Sequence, residues 1–336
     1  MKKQWTKTAA VLCAALLLAG ALAGCGAKKE EAAAPAEPAP AAESYTVGIC
    51  QFVQHEALDK ATEGFKDALT EKLGDSVTFD EQNASGDAPV CATIANQFVA
   101  ENVDLIMANA TPALQACANA TTTIPILGTS VSDFGTALSI DMGPTDATGI
   151  NVSGTCDQVS FEDQANQLTE LFPDAQKVGI LYCSAEANSK FQADNISALL
   201  TEKGLEVNFF TFTDSNDMQT VATAAVEGSD VIYVPTDNTV ASNGAILENV
   251  ASKAQVPVIA GEEGVCLSVG GVATVSLSYY DIGYQAGEMA YEILVNGADV
   301  SAMNIESPRN ATLEYIPAVA EAYGVTIPDG YVALEQ

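Results

Sequence analysis

The side chains that could do chemistry in this chain of 336 residues are polar groups at the ends of predicted strands, and they do not form a catalytic set. There is a single histidine, His55, so at most one Ser-His-acid triad could exist. No Gly-x-Ser-x-Gly, Gly-x-x-x-x-Gly-Lys-Ser or His-Glu-x-x-His sequence occurs. We therefore expect neither an enzyme nor a bound cofactor.

Composition also argues against metal ions and nucleic acids as partners. The chain has no Cys-x-x-Cys pair for zinc and no Asp-x-Asp-x-Asp-Gly loop for calcium. It has 13 basic and 44 acidic residues and a formal net charge of −31, so its surface repels nucleic acid. We interpret the negative charge as a feature that keeps the protein soluble, and we expect no metal site.

Two copies of one alternation of strands and helices would position the polar groups. In the first copy we predict helices at 56–73, 90–101 and from Pro112, and strands at 45–52, 77–79, 103–108 and 124–128. In the second copy we predict helices at 187–203, 217–226 and 239–254, and strands at 178–182, 205–212, 229–234 and 256–261. Such alternation indicates parallel sheets covered on both faces. The predicted fold class is α/β, with two doubly wound parallel-sheet lobes joined by a multi-strand hinge.

The residues after the second copy indicate that the chain crosses back to the first lobe. There we predict a strand, a helix, a strand and a helix, at 272–278, 281–295, 303–306 and 317–323. The helix from Asp281 would complete the first lobe, and several chain crossings would permit the lobes to close as rigid bodies. We assign lobe one to 44–156 plus about 276–309, lobe two to 157–275, and a C-terminal segment near the hinge to 310–336.

The N-terminus indicates export and lipid attachment. Basic residues precede an apolar run at 9–23, which ends in Leu-Ala-Gly-Cys25. This order is typical of a bacterial lipoprotein signal peptide over residues 1–24, with Cys25 as the lipidated residue. The run is shorter than the roughly 20 apolar residues of a spanning helix. Residues 25–43 predict a flexible tether, which would hold the folded part on the extracytoplasmic face of the cell membrane.

The remaining cysteines do not have the spacing of a disulfide framework. Cys13 would leave with the signal peptide, and the folded part contains Cys50, Cys91, Cys117, Cys156, Cys183 and Cys266. An exported protein can form disulfides, but several of these residues lie in apolar strands or Ala-rich helices, where a thiol acts as a small hydrophobe. We favour free, buried thiols and leave the pairing open.

The repeat predicts where a ligand would bind. In open parallel sheets, ligands lie beyond the carboxyl ends of the strands, at the reversal of strand order, where helix N-termini supply N–H groups. The loops after equivalent strands of both copies therefore form the predicted cleft. Its candidate binding residues are Gln51, His55, Asn109, Thr111, Ser132, Ser184, Glu186, Asn188, Ser189, Thr236, Asp237, Glu262 and Tyr279.

Three segments resemble a known family: Gln51-Phe52-Val53-Gln54-His55-Glu56-Ala57-Leu58-Asp59, Ser184-Ala185-Glu186-Ala187-Asn188-Ser189 and Tyr233-Val234-Pro235-Thr236-Asp237-Asn238-Thr239-Val240. They look like the tryptophan/tyrosine-type ABC-transporter substrate-binding lipoproteins, over about Tyr45 to Ile327. The resemblance implies a type I periplasmic-binding fold, an aromatic or other apolar amino acid as ligand, and ABC permease subunits as partners. Cys183, Cys266 and Gln54 depart from the family pattern, which bears on the identity of the ligand.

An amino acid requires a site for its carboxylate, one for its ammonium group and one for its side chain. Thr111 opens a helix with Pro112 at its first position, so it suits the carboxylate as well as a helix cap. The carboxylate shell would be completed by Ser132, Asn188 and Ser189. Asp237, which also suits a helix cap, is the first choice for the ammonium group, and Glu262 is the second. His55 is expected to contact the ligand, and the candidates for an aromatic wall are Phe52, Tyr182, Tyr279 and Tyr280.

Two other functions stay open at this point. The same fold could bind a sugar or a nucleoside-like ligand, or it could act as a ligand sensor rather than a transport subunit. Sugar-binding proteins usually bracket the sugar ring between aromatic side chains, whereas the only tryptophan here, Trp5, lies in the signal peptide. We expect a monomer that delivers its ligand to a permease.

Overall fold

The central strands are short apolar runs that are buried on both faces, as parallel strands between two helix layers must be. The structure is a computed structural model, and it describes residues 44–142, 146–307 and 310–335. The strand Tyr45–Gln51 is buried from Val47 onward, and Leu105–Asn109 is buried at every position. The predicted signal peptide, the tether and Cys25 lie outside the described residues.

The helices and strands follow the predicted alternation. The first lobe begins with β1 (Tyr45–Gln51), α1 (Glu56–Leu73), β2 (Val77–Asn83), α2 (Ala88–Glu101), β3 (Leu105–Asn109), α3 (Thr111–Ala120), β4 (Ile126–Val131), α4 (Phe134–Leu138) and β5 (Val152–Cys156). The second contains α5 (Phe161–Leu171), β6 (Lys177–Cys183), α6 (Ala187–Glu202), β7 (Glu206–Phe212), α7 (Ser215–Gly228), β8 (Val231–Val234), α8 (Asn238–Asn243), α9 (Ala245–Ala254), β9 (Val258–Ala260), α10 (Glu263–Val269) and β10 (Ala273–Ser276). The chain ends with α11 (Tyr279–Leu294), β11 (Thr312–Tyr315), α12 (Pro317–Tyr323) and β12 (Val332–Ala333).

The strand order confirms the predicted fold class. The first sheet has the order β2-β1-β3-β4-β5 and is parallel, while the second has the order β12-β11-β10-β9-β8-β6-β7. In the second sheet β10 and β11 pair antiparallel, and the other pairs are parallel. The direction of winding reverses beside β1 in one lobe and beside β6 in the other. These reversals place the predicted ligand site at the carboxyl ends of equivalent strands.

Each sheet packs helices on both faces. In the first lobe, Phe98 of α2 belongs to the core on one face, and Phe65 of α1 belongs to the core on the other. In the second lobe, Met218 of α7 and Ile196 of α6 belong to two cores in the same way. Two covered faces explain why the central strands β3, β4 and β8 are buried at every position, whereas the strands β2 and β7 at the sheet edges carry exposed polar residues.

The returning helix α11 packs closely against α1 of the first lobe. A Cβ added at Gly283 would lie 1.9 Å from the Ala61 carbonyl oxygen, and one at Gly287 would lie 2.6 Å from the Phe65 carbonyl oxygen. On the facing helix, a Cβ at Gly64 would lie 2.1 Å from the Tyr280 carbonyl oxygen. The two backbones are therefore in contact, and glycine is what permits this approach.

Two predicted elements are wrong in part. The single helix predicted at 239–254 is divided into α8 and α9 at Gly244, where an added Cβ would lie 2.5 Å from the Ser268 carbonyl oxygen of α10. The strand predicted at 303–306 makes only isolated bridges, with Asn304 pairing antiparallel to Ala147 and Glu306 pairing parallel to Thr155. Because these partners run in different directions, no continuous ladder forms.

The end of the chain extends the second sheet. In residues 310–335, β11 pairs with β10 and β12 pairs with β11, while Ala320 of α12 lies in a core of the second lobe. We predict only a C-terminal segment near the hinge there, without strands. The pairing escapes the sequence pattern because β11 alternates polar and apolar residues over four positions and β12 has only two residues.

Two connections between the lobes lie wholly within the described residues: 157–160 lead from β5 to α5, and 277–278 lead from β10 to α11. Further along the chain, the Glu306 N–H donates to the Gly154 carbonyl of β5 at 2.9 Å, and Thr312 begins β11 of the second sheet. None of the helices in the described part of the chain combines the length and the apolar character needed to cross a membrane.

Candidate ligand-binding cleft

Two side-chain hydrogen bonds join the lobes across the predicted cleft. His55 Nε2, which follows β1, lies 3.1 Å from Asn238 Oδ1 of α8. Gln192 Nε2 of α6 donates to Ser132 Oγ at 2.6 Å, and the opposite end of the same amide accepts the Thr236 N–H at 3.0 Å. The lobes are thus in contact, and the structure shows a closed arrangement.

His55 carries a ring nitrogen that is available to a ligand. Asn238 Nδ2 donates to Glu186 Oε2 at 2.6 Å, which leaves Asn238 Oδ1 as the acceptor toward His55. His55 Nε2 must then carry the proton, so Nδ1 is an acceptor, and this atom is buried without a hydrogen-bond partner in the described part of the chain. Burial lowers the pKa of His55 and favours this neutral ring.

Glu186 organises the beginning of α8. Its Oε1 accepts the N–H and the hydroxyl of Thr239 at 2.8 and 2.7 Å, and its Oε2 accepts the N–H of Asn238 at 3.1 Å. The side-chain amides of Asn238 and Asn188 donate to the same Oε2 at 2.6 and 3.2 Å. A carboxylate at a helix N-terminus is stabilised by these N–H groups and by the helix dipole. Glu186 therefore serves the architecture of the second lobe.

Asp237 is also bound by the backbone on both oxygens. Oδ1 accepts the Val240 N–H at 2.8 Å, which caps α8, and Oδ2 accepts the Cys183 N–H at 2.7 Å at the end of β6. Its side chain is 1% exposed, and burial together with the neighbouring Glu186 raises the pKa of its carboxyl group. The capping alternative for this residue is thus present in the structure, and an ammonium contact would be additional to it.

Two further buried acids, Glu262 and Asp157, lie near the hinge. Glu262 caps α10, accepting the Gly264 and Val265 N–H groups at 2.6 and 2.5 Å, and burial raises its pKa to about 8. Tyr279 Oη donates to Asp157 Oδ2 at 2.9 Å. Asp157 Oδ1 is buried and has no hydrogen-bond partner in the structure as described, and burial raises the pKa of this carboxyl group.

The charges of the cleft are unbalanced. The buried charged side chains of the described residues are the carboxylates Asp157, Glu186, Asp237 and Glu262, and no lysine or arginine of these residues is buried. Burial favours the neutral form of a carboxyl group, whereas a cation within about 4–6 Å favours the charged form. A positively charged group in the cleft would therefore lower the raised pKa values of Asp157 and Glu262.

The polar residues of the first lobe fall into two groups. Gln51 and Asn109 are held within the lobe, because Thr62 Oγ1 donates to Gln51 Oε1 at 2.7 Å and Asn109 Nδ2 donates to Thr62 Oγ1 at 3.0 Å. Thr111 is buried as the first residue of α3, whose N-terminus has no side-chain cap. The preceding Ala110 has φ of 85°, a strained conformation that positions this turn.

The predicted residues of the second lobe also differ in their surroundings. Asn188 and Ser189 are buried, and both donate to the Thr236 carbonyl, at 2.9 and 3.4 Å. Asn188 Oδ1 is buried without a partner in the described part of the chain. Ser184 instead is exposed and donates to the Phe212 carbonyl at 3.0 Å. The structure gives Ser184 a role in the connection between β6 and β7, away from the buried groups.

A cavity of about 350 Å³ opens between the lobes at the edge of the cleft. Phe52 and Pro112 line it from the first lobe, and Cys183 and Glu186 line it from the second. Two of the four candidates for an aromatic wall lie away from this cavity. Tyr182 packs edge-on against Phe209 at 6.2 Å between ring centroids, and Tyr280 Oη donates to Asp67 at 3.0 Å, so neither lines this cavity.

Sequence reasoning missed Asp157 and Gln192. Asp157 follows β5, whose sequence Val-Ser-Gly-Thr-Cys lacks the apolar run by which the other strands were found. Gln192 lies on the second turn of α6, beyond the predicted loops, and reaches back to the cleft. Asn238 lies in a predicted loop and in one of the segments that carry the family resemblance, but it is not among the candidate binding residues given above.

The comparisons with known proteins agree with this geometry. The model of the ABC transporter substrate binding protein family matches residues 46–334. The chain belongs to this family. It is 39% identical over 254 residues to a tyrosine-binding protein of Clostridioides difficile (strain R20291), which covers 74% of this chain and 72% of the relative. The family match, the fold and the closed cleft together describe a substrate-binding protein of the type I periplasmic-binding class.

Two solved structures differ in how well they superpose on this family member. The ABC domain from Streptococcus pneumonia in complex with L-Trp has a TM-score of 0.82 at 29% identity, covering 87% of this chain and 100% of that one. A ligand-free, open substrate binding protein with adhesive properties from Clostridium difficile has a TM-score of only 0.65 at 36% identity, with the same coverage of both chains. A lower TM-score in spite of a higher sequence identity is expected when two structures differ in the angle between their lobes.

Proposed function

We propose that this protein is an extracytoplasmic solute-binding lipoprotein of an ABC importer, and that it captures an aromatic or other apolar amino acid between its lobes. The observation that carries the proposal is the charge of the cleft, where four carboxylates and no described lysine or arginine are buried. Buried carboxylates without a counterion are unfavourable. The ammonium group of an amino acid supplies the missing charge.

The ligand carboxylate is assigned to the first lobe. The N-terminus of α3 offers backbone N–H groups without a side-chain cap, beside the buried Thr111. An anion there interacts favourably with the helix dipole, and α3 belongs to the first lobe, whereas Glu186, Asp237 and Glu262 cap helices of the second lobe.

The ligand side chain is assigned to the apolar part of the inter-lobe cavity, which Phe52, Val53 and Pro112 form on the side of the first lobe, while most of the remaining lining is polar. These apolar groups suit an aromatic or branched side chain, and a ring offset-stacked on Phe52 gains about 0.5–1.5 kcal/mol beyond area burial. The L-tryptophan bound by the streptococcal protein and the name of the clostridial tyrosine-binding protein support an aromatic ligand. His55 Nδ1, an acceptor without a partner, would take an N–H or O–H of the ligand.

Closure is proposed to carry the ligand to the permease. We assign 44–156 plus about 276–309 to one rigid lobe and 157–275 to the other, with 310–336 moving with the second lobe because its strands extend that sheet. The hydrogen bonds His55–Asn238 and Gln192–Ser132 would form as the lobes close. A closed monomer would then present both lobes to the permease subunits.

Binding is tested by a thermal-shift screen of the folded part from residue 44. We expect L-tryptophan or L-tyrosine to raise the melting temperature, because a ligand at about 100 times its Kd adds roughly 2.7 kcal/mol of stability. L-phenylalanine and L-leucine test the tolerance of the apolar pocket, and glucose and adenosine serve as controls. A shift with a sugar or nucleoside and none with any amino acid would contradict the proposed ligand class while leaving the fold untouched.

Lipid anchoring is tested in the full chain by Cys25→Ser. Because the thiol of Cys25 would receive the lipid, we expect the variant to lose membrane association and to appear in the soluble extracytoplasmic or secreted fraction. Fractionation followed by immunoblotting measures this, with Cys13→Ser in the signal peptide as the matched control that keeps its anchor. Full membrane retention of Cys25→Ser would show that the lipobox assignment is incorrect.

A further inference from the structure

We propose that Asp157 and Tyr279 form the subsite that holds the ammonium group of the ligand and thereby couple binding to closure of the hinge. The assignment rests on the proposed amino-acid function and names residues for it. Tyr279 Oη donates to Asp157 Oδ2 at 2.9 Å, and the other carboxylate oxygen, Oδ1, is buried and has no hydrogen-bond partner in the described part of the chain. An ammonium group would give this oxygen both a hydrogen-bond donor and a positive charge.

The other buried acids differ from Asp157 in their partners. Glu186 accepts hydrogen bonds from the backbone and side chain of Thr239 and from Asn238, and these occupy both of its oxygens. Glu262 accepts two backbone N–H groups at the N-terminus of α10, and Asp237 accepts one at the N-terminus of α8 and one from Cys183 at the end of β6, in each case one on each oxygen. Their charges are thus already stabilised by the fold. Of these four buried acids, Asp157 is the one that retains an oxygen without a partner; Glu314 Oε2 on β11 is also unpartnered, but that side chain is only half-buried.

The position of the subsite connects it to lobe movement. Asp157 is the first residue of the connection from β5 to α5, and Tyr279 begins α11 directly after the connection from β10. Both residues therefore lie where the chain crosses between the lobes. Burial, and to a smaller extent the charge of Asp157, raise the pKa of Glu262, which caps α10 in the second lobe. A cation bound at Asp157 would offset this effect of its charge.

The physical consequence is a ligand-dependent preference for the closed form. Without a cation, burial disfavours the charged form of both Asp157 and Glu262. An ammonium group held here would contact segments that belong to different parts of the hinge. It would make all of these contacts only when the segments are close together, as they are in the closed form. A ligand shifts a conformational equilibrium by its differential affinity for the two states, and this contact supplies such a difference.

The test removes the amino group from the ligand and the carboxylate from the protein, singly and together. Isothermal titration calorimetry would measure L-tryptophan and its analogue without the amino group, indole-3-propionate, on the wild-type protein and on Asp157→Asn. We expect Asp157→Asn to weaken the binding of L-tryptophan on the order of 100-fold. The weak binding of indole-3-propionate should change by no more than about threefold. If tyrosine is the ligand, 3-(4-hydroxyphenyl)propionate is the matching analogue.

Two further variants separate recognition from folding. Tyr279→Phe removes only the hydroxyl that orients Asp157, and we expect a smaller loss, about tenfold, confined to the amino acid. Asp174→Asn, an exposed site in the turn after α5, is the matched control and should bind both ligands like the wild type. Small-angle X-ray scattering should show compaction on adding L-tryptophan to the wild type and none with indole-3-propionate.

The outcomes distinguish this proposal from the one on which it rests. If the wild type binds no amino acid, the proposed function fails and the ammonium subsite fails with it. If the wild type binds L-tryptophan and Asp157→Asn binds it equally well, only the subsite is overturned. Equal losses for L-tryptophan and indole-3-propionate would also overturn it, because they would show a structural role for Asp157. A selective loss in Asp237→Asn alone would place the ammonium group at Asp237.

Discussion

Replacing Glu186 by alanine is expected to lower the free energy of unfolding by at least about 3 kcal/mol. The substitution leaves the N–H groups of Asn238 and Thr239 and the side-chain amide of Asn238 without their acceptor in a buried region. Each buried donor that loses its partner costs about 1–3 kcal/mol. Urea denaturation followed by circular dichroism would measure the change.

The matched control for this experiment is Glu227→Ala, which removes an exposed carboxylate from α7 in the same lobe. We expect that change to lie within about 0.5 kcal/mol of the wild type. Glu186→Gln should recover part of the stability, because its amide oxygen can still accept the Thr239 N–H. A Glu186→Ala protein as stable as the control would show that water replaces the carboxylate without loss and that the site is not dry.

Replacing Gly283 by alanine is expected to destabilise the protein by about 3 kcal/mol, in spite of the better helix propensity of alanine. Propensity alone predicts a gain of about 1 kcal/mol. The added Cβ, however, would lie 1.9 Å from the Ala61 carbonyl oxygen, which belongs to the backbone of α1 and cannot rotate away. The helices must move apart, and overpacking of this kind typically costs 1–3 kcal/mol or more.

Two comparisons make the Gly283 result interpretable. Glu292→Ala on the exposed face of the same helix should leave the denaturation midpoint almost unchanged. Gly149→Ala lies where an added Cβ has nothing within 4 Å, but φ of 72° there predicts a loss from backbone strain alone. A stabilised Gly283→Ala protein would mean that α1 and α11 separate easily, and that their close packing contributes little to the first lobe.

The close packing of α1 and α11 also bears on how closure is transmitted. Tyr279, which donates to Asp157, is the first residue of α11, and Gly283 lies one turn further along the same helix. A rigid contact between α11 and α1 would fix Tyr279 relative to His55, which stands at the start of α1. If the proposed site is correct, the first lobe would present both residues to the ligand as one unit, opposite Asn238 and Glu262 of the second lobe.

Much of this molecule follows from local sequence. Helix 56–73 and helix 317–323 were predicted with the bounds that the structure gives, because apolar residues recur at helical spacing and turn residues stand at both ends. The α/β alternation and the two copies of one pattern determined the fold class, and the rule for ligands at carboxyl ends directed attention to the loops after β1 and β8.

Other features depend on contacts between distant segments, and no local signal reveals them. Gly244 divides a helix because Ser268 of another helix lies against its backbone. Asp237 and Glu186 both follow strands, and the sequence does not show that their oxygens are already occupied by N–H groups of α8 and of the β6 end. Capping and ligand binding require the same residue types, so only the positions of the donors separate them.

Asp157 is the clearest example of a residue whose surroundings the local sequence does not reveal. Its strand is too rich in small polar residues to be found by apolar pattern, and its partner Tyr279 is distant in the chain. The sequence by itself determined the two-lobed α/β architecture and directed attention to the polar residues of the cleft, while the export signal that it indicates stays a prediction. The tertiary structure decided which of the buried carboxylates keeps an oxygen without a partner, because that depends on which backbone N–H groups of distant segments reach each acid.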